Sequence, residues 1–448
     1  MTWQQHITLT EIKALIASPE LDTLLADLLP ADIAEIILLL EQDDRIAVFA
    51  RLSSDLGARV FEHLEPRDQK PLLNALGTSR AKQILGEMYS DDIADFVGEL
   101  HPEQAKAVLS LMPHKDAQEI RELLVYPESS AGGLMIKEYL ALEQDRTVDD
   151  AIAAIRENAS SSESVYYVYV TLQHTLVGVV SLRELILAPP QATLKEIMED
   201  NVITVSPATD QEEVARLLSK YDFLALPVVD QHCNILGLVT IDDVLDVLSE
   251  EATEDISMLG GSQPLEEPYL SVPILSMYTK RVKWLVALAL LLAVTSAIMQ
   301  RYEVVLETMM GLNFFIPMLI AAGGNAGTQA ATLVIRGMAI GEIDYRHWLK
   351  IATTELAMGL MLGTTIGLIG YGRALMMGES VTLAMTVSLS LLLVILLAVL
   401  TGALLPLVLR RIKIDPSILS SPFITTMVDV VGLLIYFAVA AYFLGIVV

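Results

Sequence analysis

Asp429 stands in the run Pro422-Phe-Ile-Thr-Thr-Met-Val-Asp429-Val-Val-Gly432, flanked on both sides by residues apolar enough for hydrocarbon. A charge at the bilayer centre costs about 3 kcal/mol on insertion scales, so such a residue faces a partner or a wet path. An ion site is the functional reading of Asp429; a structural hydrogen bond is the bland one. A second acid, Glu355, falls near one end of another apolar stretch, where either role fits. A third apolar stretch is interrupted by Gly323-Gly-Asn325-Ala-Gly327-Thr-Gln329. Its glycines permit a helix break or close helix packing, and Asn, Thr and Gln supply oxygens. Non-helical backbone at membrane depth is tolerated only where it is buried or lines a cavity. One carboxylate per chain with amide and hydroxyl oxygens, and no Cys or His cluster, suits a hard cation. Mg2+ sheds water reluctantly and is held by one or two carboxylates with its waters retained. Spacing alone does not separate it from Ca2+, Mn2+ or Co2+.

These residues need long apolar helices to position them, and about twenty apolar residues cross the hydrocarbon core. Five crossings are expected, roughly Val282–Gln300, Leu312–Met338, Ile351–Gly372, Val381–Leu409 and Pro422–Val447. Lys280, Arg281 and Lys283 precede the first, Arg346 and Lys350 follow the second, and Arg410, Arg411 and Lys413 follow the fourth. The opposite loops carry Arg301 with Glu303 and Glu307, and Arg373 with Glu379. The basic-rich segments thus share one side, which predicts a cytoplasmic N-terminus and an outside C-terminus. His347 lies in a basic loop and is a poor ligand candidate. Five helices make a thin wall for a pore; a two-fold homodimer placing two Asp429 carboxylates about its axis would thicken it.

The rest of the chain is acidic. Residues 1–272 hold 48 Asp and Glu against 18 Lys and Arg, whereas residues 273–448 hold 8 against 11, so the net −27 belongs to the first part. Such a field attracts cations and repels nucleic acid, which is excluded as a partner. The acids are interleaved with Leu, Ile, Val and Ala at helical spacing, which argues for a folded surface and against a disordered tail. Cys233 is the only cysteine, so neither a disulfide framework nor a thiolate cluster is expected. Met1–Thr10 lacks the pattern of a signal peptide, which places the acidic part in the cytoplasm.

Residues 1–130 read as helices punctuated by Leu29-Pro30, Glu65-Pro66, Gly77-Thr-Ser, Tyr89-Ser-Asp-Asp, His101-Pro102 and Met112-Pro113. Asp32-Ile-Ala-Glu and Asp92-Ile-Ala-Asp look like repeated helix starts with acid on the positive dipole end. Short helices in series suggest a superhelix, and most of its acids read as solvated faces. An internal repeat follows near residues 136–250: Tyr167–Leu185 matches Leu226–Val244, each copy reading as strand, turn, strand, helix. Helical stretches Thr147–Glu157 and Thr209–Lys220 precede the two copies. This resembles a tandem pair of cystathionine-β-synthase-type (CBS) modules. In that family a Ser or Thr with an acid after the second strand holds a nucleotide ribose. The matching pairs are Ser181 with Glu184, where Glu departs from the usual Asp, and Thr240 with Asp243; Arg183 would face phosphates. The resemblance thus implies ATP as a candidate ligand; a pair that only transmits force is the alternative. Glu250-Glu251-Ala-Thr-Glu254-Asp255-Ile then places Glu251, Glu254 and Asp255 on one helix face, on a connecting helix expected to run to Lys283.

The order of acidic helical region, CBS pair, Glu-Glu-Ala-Thr-Glu-Asp-Ile linker and five crossings resembles the MgtE magnesium channel family over essentially the whole chain. Gly323–Gln329, Pro422–Asp429 and Tyr126–Met135 carry the resemblance with it. The implied fold class is multidomain: an α-helical N-terminal superhelix (1–130), an α/β tandem CBS pair (131–250), a connecting or plug helix (251–280) and an all-α five-helix transmembrane domain (281–448). The resemblance implies a homodimeric Mg2+ channel of the bacterial inner membrane that closes when cytosolic Mg2+ is high. Asp429 would hold hydrated Mg2+, with Thr425, Asn325 and Gly324 nearby; Ser421 replaces a frequent Asn at the pore mouth. The regulatory carboxylates implied are Asp91, Asp95, Glu212, Asp222, Asp243, Asp246, Glu251, Glu254, Asp255 and Asp415. A nucleotide or cation sensor anchored without transport, and a transporter coupled to H+ or Na+, remain the rival readings. Neither a Ser/His/Asp or Cys/His arrangement nor a phosphate loop or catalytic metal motif is present to suggest an enzyme.

Overall fold

The structure, a computed structural model, describes residues 9–446 apart from 17, 159–165, 266–268, 271 and 413. Lys413 of the basic loop, the first eight residues and Val447 thus lie outside the described residues. The chain divides into two compact units, Met1–Leu248 and Ser249–Val448.

The first unit opens with ten described helices between Leu9 and Leu123, none longer than ten residues. Pro30, Pro66 and Pro102 each sit in the first turn of a helix, where a missing N–H costs nothing. Asp32 and Asp92 fall in the first turns of Pro30–Leu39 and Ser90–Gly98, where the repeated pattern predicts them. Ile33, Ile37, Phe49, Phe61, Ile84 and Phe96 are buried in one core, with Phe61 edge-on to Phe96 at 5.4 Å between ring centres. The same core takes in Met135, Val214, Leu218 and Val239 of the repeat region, so helices and repeats fold as one body.

Each repeat supplies a hairpin followed by a helix. Tyr167–Leu172 pairs antiparallel with Thr175–Ser181 and parallel with Ala141–Glu143; Ala225–Val229 pairs antiparallel with Ile235–Thr240. The segment leading into one repeat crosses the hairpin of the other: the Ile136 amide donates to Leu238 O at 2.8 Å, and the Val179 amide to Glu199 O at 3.0 Å. Gly178 and Gly237, equivalent in the two copies, permit these crossings. A Cβ on Gly178 would lie 2.4 Å from Met198 Sδ, and one on Gly237 2.4 Å from Ile136 O.

The helix after the second hairpin runs from Ile241 to Leu259. The connecting helix expected to continue to Lys283 ends there instead. Gly261 takes φ +73°, and the Ser262 amide donates back to Ser257 O at 3.0 Å, a glycine-capped terminus that a side-chain-bearing residue resists. A separate helix, Ile274–Arg301, then forms the first of five among the described residues that are long enough and apolar enough to cross a membrane. The others are Met310–Ala339, Tyr345–Met376, Val381–Arg411 and Ser421–Leu444.

The second spanning helix is continuous through the glycines that punctuate it: Ile316–Ala339 is α-helical throughout. Of the two readings of that motif, close packing holds and the break does not. A Cβ on Gly323 would lie 2.7 Å from Val394, one on Gly324 2.7 Å from Thr425, and one on Gly402 2.2 Å from Gly327 O. The third helix uses the same device, its Gly363 lying against the backbone of Leu392 on the fourth. Without a hydrophobic drive between helices in lipid, such small-residue seams let backbones approach and gain dispersion contacts.

Candidate cation passage and its carboxylates

The close approach of the second and fifth spanning helices decides what sits beside Asp429. Asn325, Thr328 and Gln329 of the second helix and Ser421, Thr425, Thr426 and Asp429 of the fifth line one cavity of about 770 Å³; Leu285, Leu288 and Leu292 of the first helix supply its apolar wall. Asn325, Thr425 and Asp429 are thus brought together. Gly324 contributes by letting Thr425 sit against the second helix. Asp429 is buried at 7% exposure, and its Oδ1 takes no hydrogen bond from any described residue. Thr425 Oγ1 lies 3.5 Å from Thr328 Oγ1, tying the two oxygen-bearing faces together. Glu355 lies two turns into the third helix, half-buried, away from the residues that line the cavity.

Within the same unit, Glu251, Glu254 and Asp255 meet Asp415 of the loop before the fifth helix. Burial and the charges of Glu251 and Asp415 raise Glu254 above the ordinary carboxylate range. Burial, then Asp415 and Glu251, raise Asp255 in the same way, against a lowering hydrogen bond from Ser417. Asp415 itself is oriented: its carboxylate accepts from the Ser417 amide at 2.8 Å and hydroxyl at 2.6 Å. Four carboxylates thus repel one another beneath the helix that carries Asp429.

A second acidic cluster lies within the first unit. Burial raises Asp92 to about 8, with Glu62, Asp243, Asp95 and Asp242 adding repulsion in that order. Asp243 is raised to about 6 by burial, although its Oδ2 accepts from Thr240 Oγ1 at 2.5 Å. Of the sequence-predicted residues, Asp95, Asp243 and Asp246 therefore share this neighbourhood. Asp91 is buried beside it, accepting from the Asp92 amide at 2.8 Å. Glu212 and Asp222 are not brought together: they mark opposite ends of helix Gln211–Tyr221, about 15 Å apart. Among the described residues, no three His, Cys, Asp or Glu are close enough to hold a metal ion unaided.

Sequence reasoning missed Asp92, Glu62 and Asp242. Asp92 reads as a helix-start acid, and only folding sets it against a repeat some 150 residues later. Arg183 lines an exposed cleft of about 580 Å³ with Tyr166, Tyr167, Ser181, Leu182 and Leu224. Glu184 is engaged in a capping box, accepting from the Ser181 amide and hydroxyl at 2.8 Å each.

A family model described as "Divalent cation transporter" (MgtE) matches residues 316–439, one for the "MgtE intracellular N domain" matches 28–129, and CBS models match 131–190 and 194–250. The Magnesium transporter MgtE of Thermus thermophilus is 39% identical over 420 residues, 93% of each chain. The chain belongs to the MgtE family of magnesium transporters. The Bacillus subtilis Magnesium transporter MgtE is 32% identical over 93% of this chain and 92% of its own. Among solved structures, the cytosolic domain of the Mg2+ channel MgtE in complex with ATP is 36% identical, with a TM-score of 0.52, over 54% of this chain and all of that one. The soluble part of a magnesium transporter is 33% identical, with a TM-score of 0.51, over 55% of this chain and 98% of that one. As an MgtE-family protein the chain is a multi-pass membrane transporter of Mg2+ with a cytosolic N-terminal part, and not an enzyme.

Proposed function

We propose that this transporter is a Mg2+-selective channel, importing the ion down its gradient past Asp429 and closing when cytosolic Mg2+ occupies its acidic clusters. One observation carries the reading: a buried carboxylate, with an oxygen that takes no hydrogen bond from a described residue, borders a cavity of amide and hydroxyl oxygens. Asp429 supplies the charge; Asn325, Thr425 and the backbone beside Gly324 face the ion's retained waters. A fully hydrated ion suits such a site because Mg2+ gives up water slowly. A two-fold dimer would double the charge, with the N-terminus inside and the C-terminus outside.

The helix Ile241–Leu259 is the gate element. Glu251, Glu254, Asp255 and Asp415 repel when bare, and an ion between them draws helix and loop together. The Asp91, Asp95, Asp243 and Asp246 neighbourhood does the same within the cytosolic unit, with Glu212 and Asp222 contributing to other regulatory ions. None of these groups is a finished cage, which suits weak binding of a hydrated ion over millimolar concentrations. Moving the gate from 99% open to 99% closed takes roughly 5.5 kcal/mol of differential binding, which several weak sites supply together.

Flux into liposomes with Mg2+ varied on the cytoplasmic face, wild type beside Asp429→Ala, tests the reading. Flux that vanishes in the variant and shuts off at millimolar internal Mg2+ in the wild type supports pore and sensor. Flux that tracks an imposed proton or Na+ gradient would instead establish a coupled transporter. ATP is the second ligand. The ATP-bound relative and the cationic, aromatic cleft at Arg183 favour it, with phosphates on Arg183 and the ribose at Thr240 and Asp243 or, less favourably, Glu184.

A further inference from the structure

We propose that the foot of the gate helix carries a site for an anionic phospholipid, with the headgroup phosphate on Lys283 and an acyl chain against Trp284. A cavity of about 230 Å³ is walled there by Met258, Gly261, Gln263, Lys283, Trp284 and Ile418, all in the second unit. Lys280 also borders it, donating to Pro264 O at 2.7 Å and so shaping the turn. Met258, Trp284 and Ile418 give it an apolar wall, Ser262 and Gln263 add neutral polar groups, and the lysines form a cationic rim, the form of an amphiphile's site.

Position selects the occupant. Lys280-Arg281-Val282-Lys283-Trp284 immediately precedes the apolar run of the first spanning helix. Trp and Lys at that boundary lie at headgroup level, with the aliphatic stem in hydrocarbon and the charge reaching outward. A basic pocket beside a spanning helix on the cytoplasmic side is where an anionic headgroup is attracted, and the neighbouring lipid is the amphiphile at highest local concentration.

The site also touches the gate. A Cβ on Gly261 would lie 2.8 Å from the Trp284 ring, so the end of the gate helix rests directly on that indole. Trp284 Nε1 donates to Ser420 Oγ at 2.9 Å, and Ser420 caps the helix that carries Asp429. An acyl chain in the cavity therefore shares a wall with the end of the gate helix, the first spanning helix and the turn Pro416–Ile418 that leads to the fifth. Occupancy does not depend on Asp429 being the ion site.

The test uses the full chain with Trp3→Phe and Trp348→Phe, leaving Trp284 as its one tryptophan, in phosphatidylcholine vesicles. Phosphatidylglycerol with brominated acyl chains should quench Trp284 several-fold more than brominated phosphatidylcholine at equal fraction. The preference should vanish in Lys283→Gln and persist in Arg281→Gln, whose side chain does not border the cavity. Equal quenching by both lipids in the parent protein would overturn the site. So would equal loss in both variants, which would make it diffuse surface attraction. Abolition of the preference by millimolar inorganic phosphate would reassign it to a free anion.

Discussion

Asp429 and Asp92 are both carboxylates largely withdrawn from water, yet their company differs in kind. Amide and hydroxyl oxygens line the cavity beside Asp429, with no second acid among them. Burial holds the proton of Asp92 to about 8, and Glu62, Asp243, Asp95 and Asp242 around it add their repulsion. A lone carboxylate in a low-dielectric site needs a cation whenever it is ionised, and releases that cation only to another partner. A crowd of carboxylates can instead be quieted by a proton or by a divalent ion, so its geometry responds to concentration. The first arrangement suits passage, the second suits measurement.

The sharpest way to break that comparison is Asp429→Asn, which removes the charge and keeps the shape. Losing about 2.7 kcal/mol of charge-assisted contact to the hydrated ion corresponds to roughly a hundredfold fall in Mg2+ influx, read with a Mg2+-sensitive dye inside liposomes. Near-normal flux would mean that amide and hydroxyl oxygens suffice and that Asp429 is structural.

At the gate, Glu254→Gln with Asp255→Asn leaves Asp415 fewer charges to share an ion with. The internal Mg2+ needed for half-closure should rise about tenfold, equivalent to about 1.4 kcal/mol of lost coupling, while flux at low internal Mg2+ is retained. A matching loss of flux would place these acids in the conduction path and merge the two regions.

Sequence made the membrane half more legible than the sensor. Asp429 and Asn325 declare themselves because a polar residue in an apolar run is conspicuous, and Pro30 and Pro66 mark helix starts through local chemistry. The glycine motif was legible only as a choice between a break and a seam; Val394 and Thr425, which settle it, come from distant helices. The helix end at Leu259 was missed although Gly260-Gly261 spells it, because the acidic face before it invites extension. Asp92 was hidden for a different reason: in an acidic half, one more acid at a helix start carries no signal until the fold surrounds it.

Acidity probes that crowd directly. Because Asp92 holds its proton to about 8 when folded and releases it near 3.8 when unfolded, the native state binds more protons between those values. Stability of the cytosolic unit therefore falls as pH rises from about 4 to about 8. With chelator present, and with each rate scaled to trypsin's own activity on a small substrate at that pH, trypsin should cut that unit several-fold faster at pH 8 than at pH 6, and added Mg2+ should slow it. In Asp92→Asn the pH dependence should shrink by roughly 2 kcal/mol. An unchanged slope would move the titration to other acids of the cluster.

For Mg2+ flux itself, the smallest effect belongs to the repeat cleft. Arg183→Ala removes the cation bordering the cleft and should weaken ATP binding by calorimetry about tenfold, about 1.4 kcal/mol for a charge-assisted contact. Mg2+ flux measured without nucleotide should stay the same. Thr240→Ala is the companion: it frees Asp243 from its 2.5 Å hydrogen bond and so touches both the nucleotide pair and the acidic crowd. If it weakens ATP binding and also shifts the Mg2+ response while Arg183→Ala shifts only the first, the two ligands meet at Asp243. If neither variant changes ATP binding, the repeats transmit force alone, and sensing rests entirely with the carboxylates.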